Sequence, residues 1–198
     1  MQNKYQIIYA DPPWHYNDRR NNGTKFGGGA GNHYPTMKVN QIKQLPIKEM
    51  ADKDCILFLW ATFPCLKEAL EVIEAWGFTY KTLGFSWIKT NKRQNLEQYS
   101  FLPTDFIDDF FGIGFYTKSN CEVCLLAIKG NGAKLVKSNS VSSTIISPRR
   151  EHSKKPEETR DRIVQLVGDI PRIELFARQK TEGWDVWGNE VQSDITIS

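Results

Sequence analysis

The alternation of short apolar runs with amphipathic helical segments constrains the fold of this chain more than any other feature. Tyr5–Ala10 and Cys55–Ala61 are almost continuously apolar, as expected for strands that are covered on both faces of a sheet. Between Pro64 and Gly77, apolar residues recur at helical spacing, with the proline suited to the first turn and the glycine to the end. This alternation is typical of an α/β layered domain.

The rest of the chain continues the pattern, with three exceptions. Further strands are predicted over Phe78–Ile88, Cys121–Ile128 and Arg172–Ala177, and a second helix between Pro156 and Gly168. Segments 15–33, 91–113 and 131–150 are rich in polar or glycine residues and are predicted to be long functional or disordered loops. Because the 198 residues contain no repeat or linker, we expect one domain over residues 1–198.

Charge and cysteine usage exclude some classes of protein. The net charge of +3 is too small to mark a dedicated nucleic-acid binder, although it permits an anionic partner. No stretch is long and apolar enough for a bilayer, and the amino terminus lacks a signal-peptide core, so we expect a cytoplasmic protein with no membrane partner. Cys121 and Cys124 form a single CxxC inside an apolar run, which predicts half-buried thiols and no metal site.

The most informative residues are Asp11-Pro12-Pro13-Trp14, which follow the first strand and so lie at the carboxyl edge of the sheet, where open α/β folds bind ligands. Asp11 offers a carboxylate, Pro12 a rigidly held carbonyl, and Trp14 a flat face for stacking. An amino group on an aromatic ring has two N–H donors and a delocalised lone pair. Two fixed acceptors favour a pyramidal nitrogen that can attack an electrophile. The alternative is a surface turn, because Asp-Pro and Pro-Pro are common in loops.

The tetrad and a series of further motifs resemble one family over about residues 5–191. In order along the chain, the motifs are His33-Tyr-Pro-Thr-Met37, Leu57-Phe-Leu-Trp60, Trp76-Gly77, Trp87-Ile-Lys-Thr-Asn91, Cys124–Gly130, Ser153-Lys-Lys-Pro156, Arg172–Arg178 and Trp184-x-x-x-Gly188-Asn189. The chain resembles the adenosine methyltransferase family typified by the catalytic subunit of the messenger-RNA enzyme, and within it the bacterial and phage members.

This resemblance implies a fold. It is a Rossmann-like methyltransferase fold that uses S-adenosylmethionine, with a central mixed, mostly parallel sheet and helices on both faces. The order of the motifs along the chain is permuted, so that the catalytic tetrad precedes the strand that binds the cofactor. Here that strand would be Arg172–Phe176.

The resemblance also implies residue roles. Asp11, Pro12, Pro13 and Trp14 would be catalytic, and Asp11 would contact both the cofactor and the target amine. The other cofactor-binding positions would be Lys155, which reaches the carboxylate of the cofactor, Arg178 and Asn189 at its ribose and adenine end, Glu174 and Phe176. The chain departs from the family at Ala177, often glycine, at Glu190, a glutamine in the messenger-RNA enzyme, and at Lys180-Thr181, a His-Asn pair there.

Basic and aromatic side chains near the same edge are candidates for binding nucleic acid: Trp14, Tyr34, Arg19, Lys89 and Arg149. Phosphate contacts from basic loops supply affinity that falls with salt, and ordinary solvated charges are the alternative interpretation. Because the adenine amine is inaccessible in a duplex stack, the base must be flipped or single-stranded. The glycine-rich segment 23–31 is hypothesised to cover that base.

The expected function is methylation of the 6-amino group of adenine in DNA. Methylation of adenosine in RNA remains an alternative, as does a non-catalytic nucleic-acid-binding subunit, because the family pairs active and inactive copies; a homodimer or heterodimer is consistent with this. The intact tetrad favours catalysis. A nucleotide-hydrolysing enzyme is disfavoured because no phosphate-cradling glycine motif follows a strand.

Overall fold

The computed structural model describes residues 4–15, 36–90, 116–117, 119–149 and 154–197. The strands found there are β1 Tyr5–Ala10, β2 Ala51–Ala61, β3 Thr79–Thr90, β4 Cys121–Lys129, β5 Thr144–Pro148, β6 Arg172–Leu175 and β7 Asp185–Trp187. The α-helices are α1 Val39–Lys43, α2 Ile47–Met50, α3 Leu66–Ala75 and α4 Glu158–Val167, and 3-10 turns cover Phe63–Cys65 and Gly132–Leu135.

These strands form one sheet in the order β5-β3-β4-β2-β1-β6-β7. Every pairing is parallel except those of β4 with β2 and β3, which confirms the prediction of a mixed, mostly parallel sheet. The chain leaves β1 through α1 and α2 to reach β2 on one side, and later reaches β6 on the other side through α4. The carboxyl end of β1 is therefore a topological switch point, where open α/β sheets bind ligands.

Helices cover both faces of the sheet, as predicted. Successive side chains of a strand point to opposite faces, so Ile8 and Ala10 pack in a core with residues of α1, α2 and α3. Ile7 and Tyr9 pack in a second core with residues of α4. All four side chains are at most 1% exposed, and burial of an isoleucine stabilises the fold by about 1.5–3 kcal/mol.

The two predicted helices are confirmed as α3 and α4. The 3-10 turn that contains Pro64 leads into α3, and Gly77, with a φ of 80°, ends it in the left-handed conformation that favours glycine. Trp76 is fully buried, and its Nε1 donates a hydrogen bond of 2.9 Å to the carbonyl of Ile42, which ties α3 to α1. Gly168 follows α4 directly, with a φ of 82° that also favours glycine.

Two predictions about the elements are wrong. Segment 131–150, predicted to be a loop, contains β5, an edge strand in which Ile145 and Ser147 are buried while Thr144 and Ile146 are exposed, so it lacks the long apolar run of a central strand. The strand predicted over Arg172–Ala177 ends at Leu175, because Phe176 has a φ of 61°, which a continuing strand cannot adopt.

The cysteine thiols differ in burial, although both members of the CxxC were predicted to be half-buried. All four cysteines are free; Cys121 is partly exposed and Cys124 is fully buried. Burial raises the pKa of the Cys124 thiol well above its usual range. Among the residues described, no helix has the length and apolar character that a bilayer span requires.

Candidate active site

A pocket of about 280 Å³ opens at the carboxyl edge of the sheet, beside the end of β1. Its walls come from the tetrad, the ends of β2, β6 and β7, and the segment before α4: Asp11, Pro12, Pro13, Trp14, Ala61, Thr62, Phe176, Ala177, Arg178, Asn189, Glu190 and Lys155. Glu122 completes the wall, because β4 runs antiparallel and so begins at the edge where the other strands end. The pocket thus occupies the switch point of the sheet.

Hydrogen bonds hold the tetrad rigid. The backbone N–H of Trp14 donates to the Pro12 carbonyl at 2.8 Å, and that of Met37 donates to the Pro13 carbonyl at 2.9 Å. The Trp14 side chain is 5% exposed, and its Nε1 donates to the carbonyl of Trp60 at 3.0 Å. A carbonyl oxygen has two lone pairs, so the Pro12 carbonyl can accept a second hydrogen bond.

The second family motif lies directly beside the tetrad. Trp14 and Met37 form a parallel bridge, and the ring Nδ1 of His15 lies 2.9 Å from the Thr36 hydroxyl. Tyr34, Arg19 and the glycine-rich segment 23–31 lie outside the described residues, so their roles stay predictions.

Lys155 is the central charge of the pocket. Its Nζ lies 2.8 Å from each carboxylate oxygen of Asp11 and 3.2 Å from Oε2 of Glu122. It also lies 5.5 Å from the centroid of the Trp60 ring, a distance at which a cation is attracted to the ring face. Burial would lower the pKa of Lys155, but the carboxylates of Asp11 and Glu122 outweigh it and raise the pKa above its usual range. The side chain, 9% exposed, is therefore a fixed ammonium.

The two carboxylates beside Lys155 have different environments. Burial raises the pKa of Asp11, and the ammonium of Lys155 opposes this rise. Burial also acts to raise the pKa of Glu122, but Lys155 and Lys89 together outweigh it and lower that pKa. Glu122 is therefore an ionised, buried carboxylate in the pocket wall.

Sequence reasoning missed Glu122. Its signal was one acidic residue inside the apolar run Cys121–Ile128, in a strand whose direction the sequence did not reveal. Only an antiparallel β4 brings this residue to the edge where Asp11 lies.

The residues predicted to bind the cofactor fall into two groups. Phe176, Arg178 and Asn189 line the pocket with Asp11 and Lys155, and Nε of Arg178 lies 3.6 Å from Oε1 of Glu190. Glu174 is not among the lining residues. Its two oxygens lie 3.2 and 3.0 Å from Nη1 of Arg160 on α4.

A close backbone approach shapes one end of the pocket. A Cβ atom on Gly188 would lie 2.1 Å from the carbonyl oxygen of Ala177, so only glycine fits there without a shift of the backbone. The backbone N–H of Ala177 also donates to the carbonyl of Trp187 at 3.0 Å. The loops after β6 and β7 are thereby held together where Arg178 and Asn189 enter the pocket.

Two of the residues predicted to bind nucleic acid lie at the same edge, at the ends of the neighbouring strands β3 and β5. Arg149 is exposed, and its backbone N–H donates to the carbonyl of Thr90 at 3.3 Å. Lys89 forms an ion pair with Glu122, and its Nζ lies 5.0 Å from the ring centroid of Trp87.

Comparison with known proteins identifies the family. The MT-A70 family model matches residues 5–190. The chain is 34% identical to the type II methyltransferase M.MunI of Mycoplasma sp, over 95% of this chain and 78% of that protein. It is 27% identical to a probable N(6)-adenosine-methyltransferase MT-A70-like of Oryza sativa subsp. japonica and to the N(6)-adenine-specific methyltransferase METTL4 of Homo sapiens. It covers only 23% and 37% of those two proteins. Since the family model spans nearly the whole chain, this protein belongs to the MT-A70 family of methyltransferases.

Proposed function

We propose that the protein transfers a methyl group from S-adenosylmethionine to the exocyclic 6-amino group of adenine in DNA. The observation that carries the proposal is that Asp11, whose carboxylate is fixed by Lys155, and Pro12 line one pocket at the switch point of the sheet. The reaction class is supported by family membership and by relatives named as methyltransferases and as adenine-specific.

The lining of the pocket suits this cofactor. S-adenosylmethionine carries a carboxylate, a charged amine, a sulfonium centre and a nucleoside. Lys155 would hold the carboxylate, and Arg178 and Asn189 would contact the ribose and adenine. The three carboxylates of the wall, from Asp11, Glu122 and Glu190, outnumber its two cations, Lys155 and Arg178, which favours a ligand with positive charge.

The tetrad would position and activate the target amine. The Asp11 carboxylate would accept one N–H, and the Pro12 carbonyl would accept the other with its second lone pair, so that the nitrogen lone pair is released from the ring. The bound cofactor supplies an electrophilic methyl group, whose bond to sulfur breaks with its electron pair as the nitrogen bonds to the carbon. The methylated nitrogen must then lose one proton. Asp11 is suited to accept it, because burial raises its pKa towards that of a general base.

DNA is proposed ahead of RNA because the chain covers most of M.MunI, a type II methyltransferase, but only a minor part of the long eukaryotic relatives. A non-catalytic subunit would be expected to lose the acidic residue or the prolines of the tetrad. Asp11, Pro12 and Pro13 are all present, so we propose an active enzyme.

The test is transfer of labelled methyl from S-adenosylmethionine to single-stranded DNA, duplex DNA and RNA. Asp11→Asn keeps the shape of the side chain but removes its charge, and should lower kcat by about 100-fold or more. Asp161→Asn on the exposed face of α4 is the matched control and should leave the rate unchanged. Faster transfer to RNA than to DNA would overturn the choice of substrate. Absence of transfer to all three, with S-adenosylhomocysteine still bound in calorimetry, would favour the non-catalytic subunit.

A further inference from the structure

Four side chains of alternating charge form a row that begins at the Asp11 carboxylate and ends at Lys89. Asp11 contacts Lys155, Lys155 contacts Glu122, and Glu122 contacts Lys89. The row combines residues from the end of β1, the segment before α4, the start of β4 and the end of β3. The side chains of Lys155, Glu122 and Lys89 are 9%, 9% and 19% exposed, and that of Asp11, which faces the pocket, is 27% exposed.

Lys89 is held at the outer end of this row by local structure. Its backbone N–H donates to the carbonyl of Asn120 at 2.8 Å, so the end of β3 is tied to the residues just before β4. Its ammonium lies 5.0 Å from the ring centroid of the buried Trp87 and pairs with Glu122. The backbone therefore places Lys89 beside Glu122 without need of a ligand.

The two cations beside Glu122 are not equivalent, because only one of them also pairs with Asp11. Lys155 faces it from the segment before α4, Lys89 from β3, and Asp11 from the end of β1, with the Cys121 thiol as its neighbour along β4. Lys155 is shared, because it also contacts both oxygens of Asp11. Among the described groups, Lys89 is thus the cation that pairs with Glu122 and not with Asp11. A buried carboxylate that loses such a partner takes up a proton more readily.

We propose that Lys89 is a positioning residue for methyl transfer, which keeps Glu122 ionised so that Lys155 remains shared between Glu122 and Asp11. If Glu122 were neutral, the charge of Lys155 would be balanced by Asp11 alone. The Asp11 oxygens would then be drawn to the ammonium and would accept the target amine less well. This inference rests on the proposed function, since Lys89 would affect methyl transfer only through the Asp11 carboxylate.

The first test is a direct titration of Glu122. In protein with ¹³C-labelled glutamate carboxyls, the Glu122 signal, identified by its loss in Glu122→Gln, should titrate at higher pH in Lys89→Met. The expected rise is about 1–3 pH units, the usual effect of one opposite charge at contact distance. Lys89→Arg restores the charge and should return the midpoint close to that of the wild type. An unchanged midpoint in Lys89→Met would overturn the proposal, whether or not the protein transfers methyl groups.

The second test is the pH profile of transfer. In Lys89→Met the acid limb of the kcat profile should move to higher pH together with the Glu122 midpoint. At pH values below the limbs of both proteins, each pH unit of this shift should lower kcat about tenfold. Lys89→Arg should restore the profile, and in a Glu122→Gln background Lys89→Met should not move it further. A phosphate-binding role for Lys89 would instead raise KM for the nucleic acid at every pH and lower the salt slope by about one. Such a rise in KM would overturn the positioning role. So would an acid limb of kcat that stays in place while the Glu122 midpoint moves. Failure of the wild type to transfer methyl would refute the proposed function, and the carboxyl titration would then decide on Lys89.

Discussion

Replacement of Lys155 by methionine should destabilise the protein in a way that grows with pH. The substitution keeps an unbranched side chain of similar length but removes the ammonium that lies 2.8 Å from Asp11 and 3.2 Å from Glu122. Removal of one partner from a buried ion pair costs about 3–5 kcal/mol. We expect about 3 kcal/mol near pH 8, because the Asp11 side chain is still 27% exposed to water and Glu122 keeps Lys89.

The pH dependence follows from the two carboxyls. In the wild type the pKa of Glu122 is lowered by folding, so its stabilisation is present above its unfolded pKa and is lost as the pH falls. In Lys155→Met, burial of Asp11 is no longer opposed, so its pKa rises further and the free energy of unfolding decreases as the pH rises through that range. Both effects make the difference between the two proteins larger at high pH.

Urea unfolding at about pH 5 and about pH 8 measures this difference. Lys43→Met is the matched control, because Lys43 pairs with Glu71 at 3.3 Å on the surface, where the side chains are 32% and 43% exposed. The control should cost about 0–1 kcal/mol at both pH values. A cost for Lys155→Met that equals the control, or that does not grow by about 1 kcal/mol or more between the two pH values, would refute the reasoning.

Three further predictions concern other parts of the fold. Gly188→Ala should lower the free energy of unfolding by about 1–3 kcal/mol and weaken binding of S-adenosylhomocysteine in calorimetry, because the added Cβ would lie 2.1 Å from the backbone oxygen of Ala177. The clash is with the backbone, so rescue by Ala177→Gly would contradict this prediction. Arg160→Met should cost about 3 kcal/mol in urea unfolding, and the cost should grow as the pH rises, because the largely buried carboxylate of Glu174 loses its partner. If adding Glu174→Leu does not recover most of this loss, the ion pair is not the cause. Burial raises the pKa of Cys55 to about 12, so iodoacetamide at about pH 9 should label it only after unfolding. Labelled Cys55 in the native protein, detected by mass spectrometry, would contradict this prediction.

The sequence was sufficient where one segment carries its own signal. The apolar runs of β1 and of Cys55–Ala61 in β2 predict buried strands because both faces of the sheet are covered. The helix between Pro64 and Gly77 is predicted because its stripe, start and end all lie within 14 residues of sequence. The tetrad directly follows β1, so its place at the carboxyl edge could be predicted together with the strand.

Only the tertiary structure decided which of these segments meet. Glu122 reaches the pocket because β4 is antiparallel to its neighbours, and strand direction depends on pairing partners distant in the sequence. β5 escaped prediction because an edge strand with one side open to water buries too few side chains to leave an apolar run.

The end of β6 and the row of charges at the site also depend on long-range contacts. Phe176 ends β6 in a left-handed conformation, and its ring packs edge-on against Trp187 at 5.4 Å. Residues 89, 122 and 155 are far apart in the chain, and their row of charges forms only when three elements pack at one edge of the sheet. The sequence thus determined the buried strands, the helices α3 and α4 and the family, because those depend on local patterns. The structure determined the electrostatics of the site, because charges interact through space and not along the chain.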